Sequence, residues 1–270
     1  MIKTRKFTAV ITMMMAGLLV MAISGCQKDE IPPRETSYVL KVQDVLGVTG
    51  TATFVESDNN VTINLVLLGV TPGSHPAQLC MNTFAENGGL VVNLNPVDGS
   101  GKSSSLISSM TYNQLVDFDG YIKVMNSDSE PTVILAQGDI GGNVLTETNI
   151  SYKLDTIQPY GVAGTALFEK RKNGNTLVTI SLTGTIAGEE YPATINLSSV
   201  ATIGGGPITK TLTSVNGTTG KSYTTIRRLD GGLVINYDNW LVYNGYINIY
   251  QSLAQFDKII SQGNIGSNID

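Results

Sequence analysis

Apolar and polar side chains alternate with a period of two over residues 51–55 (TATFV) and 61–67 (VTINLVL). That period marks a strand with one buried face. Residues 121–124 (YIKV) and 132–136 (TVILA) repeat the pattern more loosely. Asp58, Asn59 and Asn60, and later Asn173, Gly174 and Asn175, fall between such runs. Asn and Gly tolerate the left-handed backbone of tight turns. Many short strands punctuated by Gly, Asn and Pro predict an all-β chain, built as β-sandwich or Greek-key barrel domains. One short helix is expected over residues 112–118, capped by Thr111, with a counterpart over 237–243.

The pattern occurs twice. Residues 47–54 (GVTGTATF) return at 161–168 (GVAGTALF), 120–122 (GYI) at 245–247, and 137–141 (QGDIG) at 262–266 (QGNIG). Residues 97–99 (VDG) and 101–103 (GKS) return at 215–217 (VNG) and 220–222 (GKS). The order is kept while small insertions widen the spacing, as a duplicated domain would leave it. The expected layout is a domain over residues 38–147, a linker over 148–151 and a second domain over 152–270. Each is of ordinary domain size.

The N-terminus breaks this pattern. Lys3, Arg5 and Lys6 precede a run without charge over residues 7–24. A basic start followed by an apolar stretch reads as a secretory signal; a retained membrane helix is the alternative. Ile23, Ser24, Gly25 and Cys26 resemble the bacterial lipobox. The resemblance implies cleavage between Gly25 and Cys26, a signal peptide over residues 1–25, and acylation of Cys26, palmitate included. Two or more acyl chains anchor stably where one does not. Gln27, Lys28, Asp29 and Glu30 resemble the charged export signal of Bacteroidetes-type surface lipoproteins. Residues 26–37 would form the tether, kept extended by Pro32 and Pro33. The expected location is the outer membrane, facing the cell surface.

Composition narrows the functions. Of 270 residues only 14% are charged, and the net charge is −5, which argues against nucleic acid as a partner. Two cysteines exclude a disulfide framework, and one histidine excludes sites built on several imidazoles.

Residues 71–83 (TPGSHPAQLCMNT), 118–125 (FDGYIKVM) and 136–141 (AQGDIG) resemble the CHRD, or chordin-type, domain. The likeness covers the first unit and, more faintly, the second. It implies a β-rich fold distantly similar to Cu,Zn superoxide dismutase, found in tandem in bacterial lipoproteins. The family pattern in such proteins is close to G-S-H-P-A-H-I-H, then D-G-Y-I-N-V-H. This chain departs from it. His75 is kept, while Gln78, Cys80 and Met125 stand at the other histidine positions. The second unit holds Tyr191, Thr194, Asn196 and Tyr250 there.

His75, Cys80 and Met125 are the remnant metal candidates, a soft set suited to copper. The plainer reading is a loop histidine that can be replaced without loss of stability, a buried inert thiol and a core methionine. No catalytic residue and no cofactor are expected. Asp117 and Asp119 could act as acid and base, but turn roles before Gly120 are more ordinary. Gly204, Gly205 and Gly206 lack the residues of a phosphate loop and read as a β connection. Tyr237, Trp240, Tyr243, Tyr246 and Tyr250 could form a sugar platform or a core. Asp155, Thr156 and Ile157 resemble an O-glycosylation acceptor in an exposed linker, with Thr156 as the acceptor. The sequence thus points to a lipid-anchored, non-catalytic binding or structural module of the cell envelope, with an unidentified protein or glycan ligand. The alternatives are a metal-binding or dismutase-like protein and an accessory glycan-binding lipoprotein.

Overall fold

The computed structural model describes residues 32–43, 47–58 and 60–269. Gly25 and Cys26 lie outside the described residues. The first repeat contains β1 (Glu35–Val42), β2 (Thr49–Ser57), β3 (Asn60–Leu68), β4 (His75–Met81), β5 (Leu90–Val97), β6 (Lys102–Ile107), the helix α1 (Tyr112–Val116), β7 (Gly120–Ser127) and β8 (Glu130–Ile140). The second contains β9 (Leu145–Thr156), β10 (Ala163–Arg171), β11 (Thr176–Thr183), β12 (Glu190–Leu197), β13 (Ile208–Asn216), β14 (Lys221–Ile226), α2 (Tyr237–Trp240), β15 (Asn244–Ser252) and β16 (Gln255–Gly266). The chain is all-β, and each repeat forms one eight-stranded sheet.

The strand order is the same in both. Repeat 1 runs β5-β4-β7-β8-β1-β2-β3-β6, and repeat 2 runs β13-β12-β15-β16-β9-β10-β11-β14, where β13 also pairs with β14 to close a barrel. The alternation seen in the sequence supplies the cores. In β3, Val61, Ile63 and Leu65 are buried, while Thr62 and Asn64 between them are not. Tyr38 meets Phe54 edge-on at 5.1 Å, and Tyr152 meets Phe168 edge-on at the same 5.1 Å. Gly50 and Gly164 also match. A Cβ on Gly50 would lie 2.3 Å from the Val66 carbonyl oxygen, and one on Gly164 would lie 1.9 Å from that of Ser181. The strands can approach this closely only where no side chain intervenes.

The helices are shorter than expected and are held at their starts. Thr111 accepts from the backbone N–H of Gln114, whose side chain accepts from the Thr111 N–H; Asn236 and Asn239 repeat this box. Each helix drops an apolar pair into its core: Tyr112 and Leu115 in α1, Tyr237 and Trp240 in α2.

The expected boundaries shift. Residues 35–37, assigned to the tether, belong to β1 and pair with Val55, Phe54 and Thr53. Residues 148–151, expected as a linker, lie within β9. Only the 3-10 turn Gly141–Asn143 and Val144 separate β8 from β9. From Glu35 onward the chain is one compact unit.

Candidate functional site

Gln78 and Cys80, two of the family-pattern positions, share one face of the sheet. Ala77, Leu79, Ile122 and Val124 belong to the core of repeat 1. Gln78 and Cys80 alternate with them, as does Tyr121, which pairs with Cys80, so these three point outward. The loop after β4 covers that face, and the Tyr121 hydroxyl bonds Asn87 Oδ1 at 3.2 Å and the Gly88 carbonyl at 3.1 Å. Burial raises the Cys80 thiol above its usual range, against the opposing hydrogen bond from Tyr121 and the nearby Lys123. Burial likewise raises the Tyr121 phenol, helped by Cys80. Such a thiol is held protonated and inert. Met125 is buried on β7 and borders a shallow cleft with Gln78.

His75 is not a loop residue. It opens β4 and is only 2% exposed. Its Nδ1 lies 2.7 Å from the Asn126 carbonyl oxygen and its Nε2 lies 2.9 Å from that of Thr71. Both nitrogens therefore face backbone carbonyl oxygens, and neither is turned toward an open position where an ion could sit. Cys80 stands five residues further along β4, on the order of 15 Å away in an extended strand. His75, Cys80 and Met125 do not form one ligand set. Among the described residues no group of three His, Cys, Asp or Glu is placed to hold a metal.

Three of the matching positions of repeat 2, Thr194, Asn196 and Tyr250, form one network. Thr194 donates to Asn196 Oδ1 at 2.6 Å and lies 3.1 Å from the Tyr250 hydroxyl. Asn196 donates to the Gly206 carbonyl at 3.0 Å, and the Gly206 N–H donates to Tyr246 at 2.8 Å. The three-glycine loop thus seals the outer face of β12 and β15 rather than cradling phosphate. These residues do not fit a copper or zinc ion: carboxamide and hydroxyl groups ligate such ions poorly, and here they are already paired.

Other candidates also change role. Tyr237, Trp240, Tyr246 and Tyr250 are at most 5% exposed, so the aromatic cluster is packing and not a sugar platform. Trp240 bridges Phe168 at 5.7 Å and Tyr243 at 4.8 Å. Thr156 pairs with Ser261 at the end of β9, and its hydroxyl is buried without a partner. A glycan acceptor needs an accessible oxygen, so the expected exposed linker at Thr156 is not what the fold provides. Asp117 ends α1, and Asp119 accepts from Asn173 Nδ2 at 2.7 Å.

Asn173 belongs to repeat 2, so Asp119 is part of a junction that sequence reasoning missed. At its centre Arg171 is fully buried and donates to Asp139 Oδ2 at 2.8 Å and to the Asn143 carbonyl. Asp139 Oδ1 also accepts from the Phe84 N–H at 2.9 Å. Burial still raises the Asp139 carboxyl above its ordinary value, against the pull of Arg171 and Phe84. Glu86 accepts from the Thr225 N–H at 2.8 Å. The repeat supplies a hint: the aspartate of QGDIG becomes Asn264 in QGNIG, and Ser57 occupies the place of Arg171. Each charge is present only in the repeat where it meets the other.

The connections after β9, β11 and β15 leave repeat 2 at one end, since the antiparallel pairings run these strands in one direction. Arg171 closes β10 at the other end. The far end, away from the junction, holds a cleft of about 420 Å³ bordered by Tyr160, Glu189, Tyr191, Gln251, Ser252 and Gln255. Gln251 Oε1 is buried there without a hydrogen-bond partner. Tyr191, one of the family-pattern positions of the second unit, is the cleft residue that the sequence marked. No protein-family model matches the chain, and no curated protein matches it.

Proposed function

We propose that the protein is a lipoprotein of the outer membrane, tethered through acylated Cys26 and displayed at the cell surface, whose two CHRD-like β units form a non-catalytic binding or structural module. The observation that carries the anchor is the uncharged run ending at Ile23, Ser24, Gly25 and Cys26 behind a basic start. The non-catalytic reading is supported by the way the chemically capable groups are used. Both His75 nitrogens meet backbone carbonyls, and Thr194 is bonded within its own network. A dismutase-like role would need those atoms free for an ion.

Labelling cells with a radioactive or clickable fatty acid tests the anchor. Label should enter the wild-type chain and be lost in Cys26→Ser, which should leave the membrane fraction or remain unprocessed. Labelled, membrane-bound Cys26→Ser protein would refute it. Protease added to intact cells should digest the chain; full protection would refute surface display.

A further inference from the structure

The two repeats differ in what caps the backbone where their fifth and sixth strands face each other. Residues 90–98 match 208–216 without a gap. Both strands carry a bulge at the same place, opposite Leu79 and Cys80 in repeat 1 and opposite Ile195 and Asn196 in repeat 2. Alternate residues of a strand turn their backbone groups to the same side. In β5, Asn95 faces β6, since its N–H reaches Ser105 at 2.8 Å and its carbonyl takes the Ser103 hydroxyl at 2.6 Å. In β6, Lys102 faces β5, where its N–H and carbonyl meet Asp98. Asn93 and Leu106 therefore turn to the same seam.

In repeat 2 the matching groups are taken. The Thr211 N–H donates to Asp230 Oδ2 at 2.7 Å, and the Thr209 carbonyl accepts the Asp230 N–H at 3.0 Å. The Thr225 N–H donates to Glu86 Oε1 at 2.8 Å. Asp230 stands at the tip of a small hairpin closed by Arg228 and Val234, and its neighbour Leu229 packs on the core. That hairpin fills the connection 227–236 between β14 and α2. The matching connection of repeat 1 is only 108–111, too short for such a hairpin. Among the described residues nothing takes the N–H of Asn93, the N–H of Leu106 or the carbonyl of Val91. This edge is open to solvent. Asn93 is exposed, and Leu90 and Leu106 beside it are 50% and 66% exposed.

An uncapped edge is a template for another chain, and repeat 2 specifies the chemistry of its occupant. One aspartate in a turn places its N–H on a carbonyl and its carboxylate on the next seam-facing N–H. Such charge-assisted bonds are roughly twice as strong as neutral ones. Val92 stands where Lys210 pairs with Asp230, so apolar neighbours of the aspartate suit repeat 1. We infer that the β5–β6 edge of repeat 1 binds an aspartate-bearing peptide turn of a partner protein. The aspartate donates its N–H to the Val91 carbonyl and accepts the Asn93 N–H on its carboxylate, as Asp230 does within repeat 2. The inference deepens the binding reading above but rests on none of the evidence for the lipid anchor.

The test uses the full-length, isotope-labelled chain in detergent micelles. In the free protein the Asn93 and Leu106 amides should exchange with solvent roughly tenfold faster, or more, than those of Thr211 and Thr225. Equal protection would mean that the edge is already closed, and overturns the proposal. A peptide with the sequence of residues 227–235 (RRLDGGLVI) is then titrated. It should shift the Asn93 amide resonance and slow its exchange, and the Asp230→Asn peptide should bind roughly tenfold more weakly. Asn93→Pro removes the N–H, and an edge strand tolerates proline where that N–H faces outward. This variant should keep its thermal midpoint and lose the peptide; if it unfolds, amide exchange in the wild-type chain and the paired peptides still decide. No shift at Asn93 up to about 1 mM peptide, equal binding by the two peptides, or shifts confined to Thr209 and Thr211 overturns the proposal. Self-association abolished by Asn93→Pro would give the edge to a second copy, and overturns it too. Fatty-acid labelling at Cys26 is read separately, so failure of the peptide site leaves the anchor standing or falling by its own result.

Discussion

Repeat 1 and repeat 2 use one strand order but finish it differently. At the seam between their fifth and sixth strands the Asn95 N–H donates to Ser105 Oγ at 2.8 Å, and the Thr213 N–H donates to Thr224 Oγ1 at 2.9 Å. In repeat 1 the Asp98 carboxylate then takes the Lys102 N–H at 3.2 Å and the Ser100 N–H at 2.8 Å. In repeat 2 Asn216 stands at that place and pairs through its backbone with Lys221, so the ladder closes. Asp98 keeps one half of the same pairing, since its N–H donates to the Lys102 carbonyl at 3.0 Å; the seams differ in the other half, where the Asp98 carboxylate takes the Lys102 N–H. The near ends of the repeats differ by a charge exchange, Asp139 against Arg171. The far ends differ by a bridge at His75 and a cleft beside Tyr191.

The largest effect should come from the junction. Arg171→Met leaves Asp139 buried without its counter-charge and should cost about 3–5 kcal/mol in urea unfolding. Adding Asp139→Asn gives repeat 1 the residue of repeat 2 and should recover most of that loss, since replacing a whole buried pair is often neutral. An unchanged midpoint for Arg171→Met would show that the junction carries no weight. The pH dependence follows from the raised Asp139 carboxyl. The folded state binds that proton more tightly than the unfolded chain. Its contribution is therefore full below the unfolded pKa, about 4, and is lost as pH rises through the folded pKa. The stability of Asp139→Asn relative to wild type should grow over that window, and thermal melts at several pH values would measure it.

The far ends should respond less. His75→Ala removes the ring held between two carbonyl groups and should cost roughly 1–3 kcal/mol. Tyr191→Phe removes one acceptor, that of the Ile186 N–H, and should cost about 1 kcal/mol. Equal losses in thermal unfolding would mean that the two ends are held alike.

The seam should give the smallest differences. Ser105 is buried, whereas Thr224 is half-buried beside a closed ladder. Ser105→Ala should therefore cost about 1–2 kcal/mol, and Thr224→Ala about 1 kcal/mol or less. Hydrogen exchange at the Asn95 and Thr213 amides reports this directly. Faster exchange in repeat 2 than in repeat 1 would reverse the comparison.

Several features were legible in the sequence. Thr111 was placed as a cap because its hydroxyl can serve an N–H three residues on, a purely local bond. The buried and exposed sides of β3 follow from alternation within nine residues. Gly50 and Gly164 were matched by the repeat, and the close backbone approach gives the reason for it. The linker at 148–151 failed for the opposite reason. Those residues are polar because β9 is mostly exposed there, and strand pairing with Ile150 and Ser151 opposite Phe168 and Leu167 comes from β10.

The sequence by itself determined the all-β class, the duplication and the sides of β2 and β3 that turn inward. These depend on period and propensity over a few residues, where neighbours in the chain are neighbours in space. The tertiary structure alone decided what the remaining polar groups do. Arg171 and Asp139 lie 32 residues apart, His75 and Asn126 lie 51 apart, and Thr194 and Tyr250 lie 56 apart. Whether a histidine ligates or bridges, or a tyrosine packs or lines a cleft, depends on which distant strand ends beside it. Local pattern carries no information about that meeting, because the energy of a buried polar group is set by the partner that desolvates with it.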